Sequence, residues 1–404
     1  MSNDHHETKY QDNNSIRPFN MNIPQRNIDE LRARLAQTRW PSQLPGGGWN
    51  RGIPVAYLKE LAEYWQNEYD WREYEQQLNA FPQFITDIEG QQIHFLHVRS
   101  PEPNALPLIM THSWPNSIVE FINMIGPLSN PRAYGGDPSM AFHIVAPSLP
   151  GFAFSTFPEP ADERPWSIKR VVRVWAELMR RLGYETYGAH GNDAGALVSP
   201  ELAILDAEHT IGVHITGGLG IPMGDPNELD GLSEEEMAEF TRLAELFAGG
   251  SGYAPYLSNR PQTLSYGLLD SPVAGLAYLV ERFKEFDGWP NNSEELPQEP
   301  IHKDLLLTNA TLYWFTQTAA SSSWTYYEGA AGMPANQMKV PTGVSHGGGS
   351  VFRRIAEAKN NIVHWSNRES GSHMVAMADP DSLIEDIRVF FSKLRCFRHV
   401  EKSV

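Results

Sequence analysis

The sequence predicts an α/β fold of the α/β-hydrolase type: a mostly parallel sheet, a helical cap inserted in it and a helical segment before it. Three observations predict it. Apolar strand-like runs alternate with amphipathic helical stretches over residues 84–216, as in a parallel sheet covered on both faces. The alternation lapses into helical, turn-rich sequence over 217–336, and it resumes over 337–404.

Each segment has its own signal. Residues 1–15 are polar and are expected to form a disordered tail. Residues 16–83 form an N-terminal helical domain. Its first helix is expected to start at Asn27, an N-cap with Glu30 three residues on, and to end near Trp40-Pro41. The second starts at Pro54, and its apolar face is Tyr57, Leu58, Leu61, Tyr64 and Trp65. The core opens with a hairpin, strands 84–88 and 93–98 around Glu89-Gly90. Strands 106–112, 142–147, 184–190 and 210–216 follow, with helices 167–182 and 194–208 between them. Residues 217–336 are the cap. The core then closes with strands 338–344 and 362–365 and a helix over 382–394.

Composition excludes several classes. Hydrophobic residues make up 41% of the 404 residues and aromatics 11%, enough for a large core. The net charge of -17 disfavours nucleic acid and anionic lipid as partners. Cys396 is the one cysteine, so neither an internal disulfide nor a cysteine-built zinc site can form. No apolar leader and no membrane anchor are visible, and a cytoplasmic or otherwise soluble intracellular location is expected. No metal or organic cofactor is implied, because neither a phosphate-binding loop with Lys-Ser/Thr nor H-E-x-x-H occurs. The assembly state is open, a homodimer included.

The chemistry concentrates at three places. Gly191-Asn192-Asp193-Ala194-Gly195 lies between a strand and a helix, with small residues on both sides of Asp193. That spacing suits a nucleophile elbow, with an aspartate where many such enzymes carry serine. An aspartate there can attack carbon and form an ester. The Ala194 N–H would stabilise its negative charge. His112-Ser113-Trp114-Pro115 closes the second core strand, where a second oxyanion donor, the Trp114 N–H, is expected. His373, after the last strand, stands where the base belongs. His112, Trp114, Pro115 and Asn192 are expected to line the substrate pocket.

With these residues in hand, the chain resembles the microsomal-type epoxide hydrolases over nearly its whole length after the tail. Ile16-Arg17-Pro18-Phe19 and the stretch from Leu31 to Pro41 are similar to the family's N-terminal domain. His112 to Pro115 is similar to its HGWP motif, and Gly191 to Gly195 to its GGDWG elbow. Asp270-Ser271-Pro272-Val273, Leu306-Leu307-Thr308-Asn309 and Val340 to Val344 also match in order. The resemblance implies that Asp193 opens an epoxide through an aspartyl ester. Tyr253 and Tyr326 would protonate the epoxide oxygen, and His373 would activate water, giving a vicinal diol. The substrate would be a small apolar epoxide.

Departures cluster at the same places. The family's third triad member falls on Ser350, in a loop without an acid; Glu357 and Glu369 are the candidate substitutes. After Gly217-Gly218, the other usual place for the acid, none stands before Asp225. The family Trp after the nucleophile is Ala194, and HGWP has Ser113. His346-Gly347-Gly348-Gly349 looks like an esterase oxyanion motif but lies at the wrong place in the strand order, and reads as a flexible loop. A histidine without its acid should hydrolyse an ester poorly. Two other readings therefore stand beside hydrolysis: an epoxide-opening cyclase with no net water addition, and a catalytically silent ligand-binding protein.

Overall fold

The computed structural model describes residues 15–157, 164–217, 219, 229–238, 240–241, 252–287, 300–329, 337–367 and 372–401. The expected tail, apart from Ser15, lies outside them, as do Asp225 and Glu369. Among the described residues, nine strands form one sheet in the order β1-β2-β3-β5-β4-β6-β7-β8-β9. The strands β1 (Arg17–Phe19), β2 (Gln83–Ile88) and β3 (Gln91–Val98) make an antiparallel edge. The rest are parallel: β4 (Leu106–Thr111), β5 (Phe142–Pro147), β6 (Tyr187–Asn192), β7 (Thr210–Thr216), β8 (Thr342–Ser345) and β9 (Ile362–Trp365). This is the α/β-hydrolase architecture that the alternation predicts.

The central strands are apolar at successive positions because both faces are covered. Leu108 and Met110 join the core that includes the C-terminal helix Pro380–Glu401, whereas Ile109 joins the core of α5 (Ile168–Arg181) and α6 (Ala194–Leu205). In α5, Val171, Val172, Trp175, Leu178 and Met179 form the buried stripe. Burying one such side chain contributes about 1.5–3 kcal/mol.

Among the described residues, the cap between β7 and β8 includes the helices Tyr253–Asn259, Pro261–Asp270, Pro272–Phe286, Lys303–Thr316 and Ala319–Gly329. Proline at the first position starts two of them. The N-terminal helices brace this cap. Trp65 Nε1 donates to Thr311 Oγ1 at 2.8 Å, and Arg34 Nη1 donates to the Asp270 carbonyl at 2.9 Å.

Several elements differ from the sequence expectation. The first helix is Gln25–Ala36, with Pro24 as its N-cap, so Asn27 sits inside it. The expected strand 338–344 is only Thr342–Ser345, and the expected flexible loop ends in a helix, Ser350–Lys359. A third N-terminal helix, Trp71–Asn79, starts at Asp70, whose side chain accepts from the Arg72 N–H. Among the described residues, no helix is long and apolar enough to cross a membrane.

Candidate active site

The site is built at the end of β6. Asp193 follows that strand with φ 51° and ψ -111°, and α6 begins at the next residue. The turn is possible because the chain passes itself at Gly191 and Gly195. A Cβ on Gly195 would stand 2.1 Å from the Thr111 carbonyl oxygen, and one on Gly191 would stand 2.3 Å from the Gly195 carbonyl. Small residues here are a steric requirement, which is why the spacing is legible in sequence.

One carboxylate oxygen of Asp193 is fully engaged. Oδ1 accepts from the Ala194 N–H at 2.6 Å and from the Trp114 N–H at 3.0 Å. Two backbone donors thus converge on one oxygen from two loops. The other oxygen, Oδ2, lies 3.5 Å from His373 Nε2. Burial alone would lower the His373 pKa. The carboxylates of Asp193, Asp287 and Glu120 outweigh it and hold the value above that of an ordinary histidine.

The cap closes over this pair with aromatic rings. Trp114 stacks on Tyr253 at 5.4 Å between centroids and meets Tyr326 edge-on at 4.8 Å; the two tyrosine rings are 5.5 Å apart and perpendicular. Tyr327 points away and is exposed, so Tyr326 is the one brought to the site. Burial pushes the Tyr253 phenol up to about 12, with Tyr326 and the Arg282 cation acting against it. Burial and then the Asp193 carboxylate push Tyr326 well above the ordinary value. Both phenols are therefore protonated at neutral pH and can donate.

Other predicted residues have different surroundings. His112 is fully buried; its Nδ1 donates to the Ser113 carbonyl and its Nε2 accepts from the Leu149 N–H. It ties two loops together instead of lining the pocket, and burial lowers its pKa to about 4. Pro115 is buried, and its carbonyl accepts from Asn309 Nδ2 at 2.8 Å. Asn192 Nδ2 donates to the His373 carbonyl at 3.0 Å, so it holds the base loop. Ser350 is exposed at the start of its helix. Glu357 pairs with Arg353 at 2.7 Å on the surface of that same helix.

Four polar residues that the sequence reading passed over stand at the site. Glu120, 1% exposed, accepts from the Ser113 N–H at 2.9 Å and from the Ser113 hydroxyl. Burial pushes its carboxyl up to about 7, against the pull of those two bonds. Asp287 ends the helix Pro272–Phe286 and accepts from the His373 N–H at 2.7 Å. Arg282 lies with its guanidinium 4.7 Å from the Tyr253 ring centroid and 4.8 Å from that of Tyr278. Tyr313 donates to the Asn116 carbonyl at 2.6 Å and so fixes the Trp114 loop from the cap. Only the spacing of Asn309 within a matched cap segment hints at such anchoring.

Comparisons with known proteins point to one family. Residues 16–121 match the family described as Epoxide hydrolase N terminus. A protein of Stigmatella aurantiaca is 39% identical over 385 residues, 94% of this chain and 86% of that protein. Epoxide hydrolase 1 of Sus scrofa is 31% identical, covering 94% of this chain and 89% of its own. Among solved structures, the juvenile hormone epoxide hydrolase of Bombyx mori superposes with a TM-score of 0.79 at 28% identity, over 96% of both chains. Aspergillus niger epoxide hydrolase does so with a TM-score of 0.78 at 27% identity, over 94% of this chain and 97% of its own.

Proposed function

The chain belongs to the epoxide hydrolase family of the α/β-hydrolase fold and is a hydrolase acting on ether bonds, and from that premise we propose that it opens an apolar epoxide through an ester on Asp193. One observation carries the reading: a carboxylate with one oxygen in a two-donor backbone cradle and the other free to face both a histidine and a tyrosine pair.

Oδ2 of Asp193 attacks a ring carbon, and the carbon–oxygen bond on that carbon breaks. The departing oxygen takes a proton from Tyr253 or Tyr326, a general-acid step. Ester and neutral alcohol result. His373 then takes a proton from water as the hydroxide attacks Cγ of Asp193. The oxyanion of the tetrahedral intermediate forms on Oδ1, where the Trp114 and Ala194 N–H groups already point. Collapse releases the diol, and the His373 proton returns to the tyrosinate through the site. The walls, Trp114, Tyr253, Tyr326 and Phe286, are aromatic, which suits an apolar substituent on the epoxide.

Single-turnover mass spectrometry in oxygen-18 water tests this. The first diol should carry an unlabelled Asp193 oxygen, and the heavy label should enter the carboxylate. A diol labelled in the first turnover, with unlabelled Asp193, overturns the ester route. The exposed Ser350 in place of an acid favours one second reading, opening by a hydroxyl of the substrate itself. Hydroxy-epoxides that yield cyclic ethers without label would establish it.

A further inference from the structure

No acid stands at the family's position for the base, yet His373 is not held by its loop alone. The cap reaches it. Asp287, at the end of the helix Pro272–Phe286, offers Oδ1 to the His373 N–H at 2.7 Å and to the Ser372 hydroxyl at 2.9 Å. The Ser372 oxygen in turn accepts from the Met374 N–H at 3.1 Å, so three successive residues of the base loop hang on one carboxylate. The neighbouring Phe286 ring lies 5.1 Å from the imidazole. Asn192 fixes the same peptide from the elbow side.

We propose that Asp287 is the positioning residue of His373, a carboxylate supplied by the cap in place of the triad acid missing at Ser350. The proposal rests on His373 being the base of the hydrolytic step. Asp287 Oδ1 meets the His373 N–H and the Ser372 hydroxyl, so it acts by place and by charge. Bonds from N–H and O–H to a carboxylate are charge-assisted and hold geometry well.

The order of events makes the charge matter. Three carboxylates bear on His373: Asp193, Asp287 and Glu120. In the ester, Asp193 is neutral, and its support vanishes when His373 must take a proton from water. Glu120 is buried and its carboxyl is pushed up to about 7, so it is largely protonated below neutral pH. Asp287 then remains as the standing negative charge beside the forming imidazolium. Because it belongs to the cap, base strength is coupled to the docking of that helix.

The test is an NMR titration of labelled histidine, with single-turnover rates of ester formation and ester breakdown alongside. In Asp287→Asn the hydrogen bonds can persist while the charge is lost. The His373 midpoint should fall by about one pH unit. Ester breakdown should slow about tenfold, and ester formation should change less than about twofold. In an Asp193→Asn background, which mimics the neutral ester, the same drop should be at least as large. Asp287→Glu should recover part of it, and Ser372→Ala should leave the midpoint in place. An unchanged midpoint in folded Asp287→Asn, or equal slowing of both steps, overturns the proposal. If wild type forms no ester, the hydrolase reading fails by itself; the titration still reads the coupling, and its absence there refutes the role of Asp287.

Discussion

The Trp114 backbone N–H donates to Asp193 Oδ1 at 3.0 Å across 79 positions of sequence. This bond fixes which carboxylate oxygen stays in the cradle and which is free. Asp193→Asn places a weakly nucleophilic amide there. It should lower kcat/KM for any epoxide turned over by at least about 1,000-fold and shift Tm by only a few degrees. Mass spectrometry of the intact variant should show no adduct. Retained prompt turnover would move the nucleophile elsewhere.

The two phenols share one task. Tyr253 and Tyr326 lie ring to ring, and the Asp193 carboxylate acts on both phenols, so either can supply the proton. Each Tyr→Phe change alone should cost about 10–100-fold in ester formation, and the pair together about 1,000-fold or more. Stopped-flow quenching of Trp114 fluorescence would follow the step. A double variant with wild-type rates would place the acid outside this pair.

Arg282 is 4% exposed, sandwiched between Tyr253 and Tyr278, with Glu285 2.9 Å away. Arg282→Gln leaves the Glu285 carboxylate without its cation. The expected cost is about 3 kcal/mol of unfolding free energy. Burial, opposed by Arg282, holds Glu285 up at about 7. Without Arg282 it rises further, so protonation relieves the loss, and the cost should be larger at pH 8 than at pH 6. Chemical denaturation at both values checks this. Adding Glu285→Gln should recover most of the loss.

What was legible in sequence follows from how local each constraint is. Gly191-Asp193-Gly195 is a steric pattern within five residues, and it reads directly. The sheet reads from its apolar runs, but β1, three residues long, is too short to show a period. The helix Ser350–Lys359 was hidden behind a glycine run, and Trp71–Asn79 behind a polar composition. Asp287, Glu120 and Arg282 owe their roles to what the fold brings against them. Asp287 is 86 positions from His373, and nothing in its own neighbourhood announces the pairing. Tyr326 and Tyr327 are indistinguishable by type; helical phase alone sends one inward.

Two glycines should respond oppositely to the same change. Gly195→Ala drives a Cβ to 2.1 Å from the Thr111 carbonyl oxygen, backbone that cannot yield without opening the elbow. It should destabilise by about 1–3 kcal/mol and abolish activity. Gly267, inside the helix Pro261–Asp270, has nothing within 4 Å of its would-be Cβ. Gly267→Ala should stabilise by about 0.5–1 kcal/mol, since alanine favours helix and restricts the unfolded chain. Urea unfolding of both variants decides it; a neutral Gly195→Ala would refute the close passage of α6 over β4.

Acid should unfold this chain through its buried histidines. His94, His97, His112, His190 and His214 are all buried, and burial lowers each pKa: His94 to about 3, His97 and His112 to about 4. Each binds a proton less readily in the fold than in the open chain. Below the unfolded value of about 6.5, unfolding therefore binds protons, and stability falls with pH by up to about 1.4 kcal/mol per unit for each such group. Glu120, Glu201 and Glu285, raised chiefly by burial, act in the opposite sense, since the fold holds their protons where the unfolded chain has released them. His373 is raised, so its contribution is complete below about 6.5 and adds no slope there. The lowered histidines outnumber these raised carboxyls, so the net sense is proton uptake on unfolding. Below about pH 4 a further loss begins at Asp386, which His214 and His364 hold far under the usual carboxylate range despite its burial. Denaturant titrations from pH 4.5 to 7.5 should give unfolding free energies that fall as the pH is lowered. A flat or rising profile would mean that these histidines carry protons in the folded state.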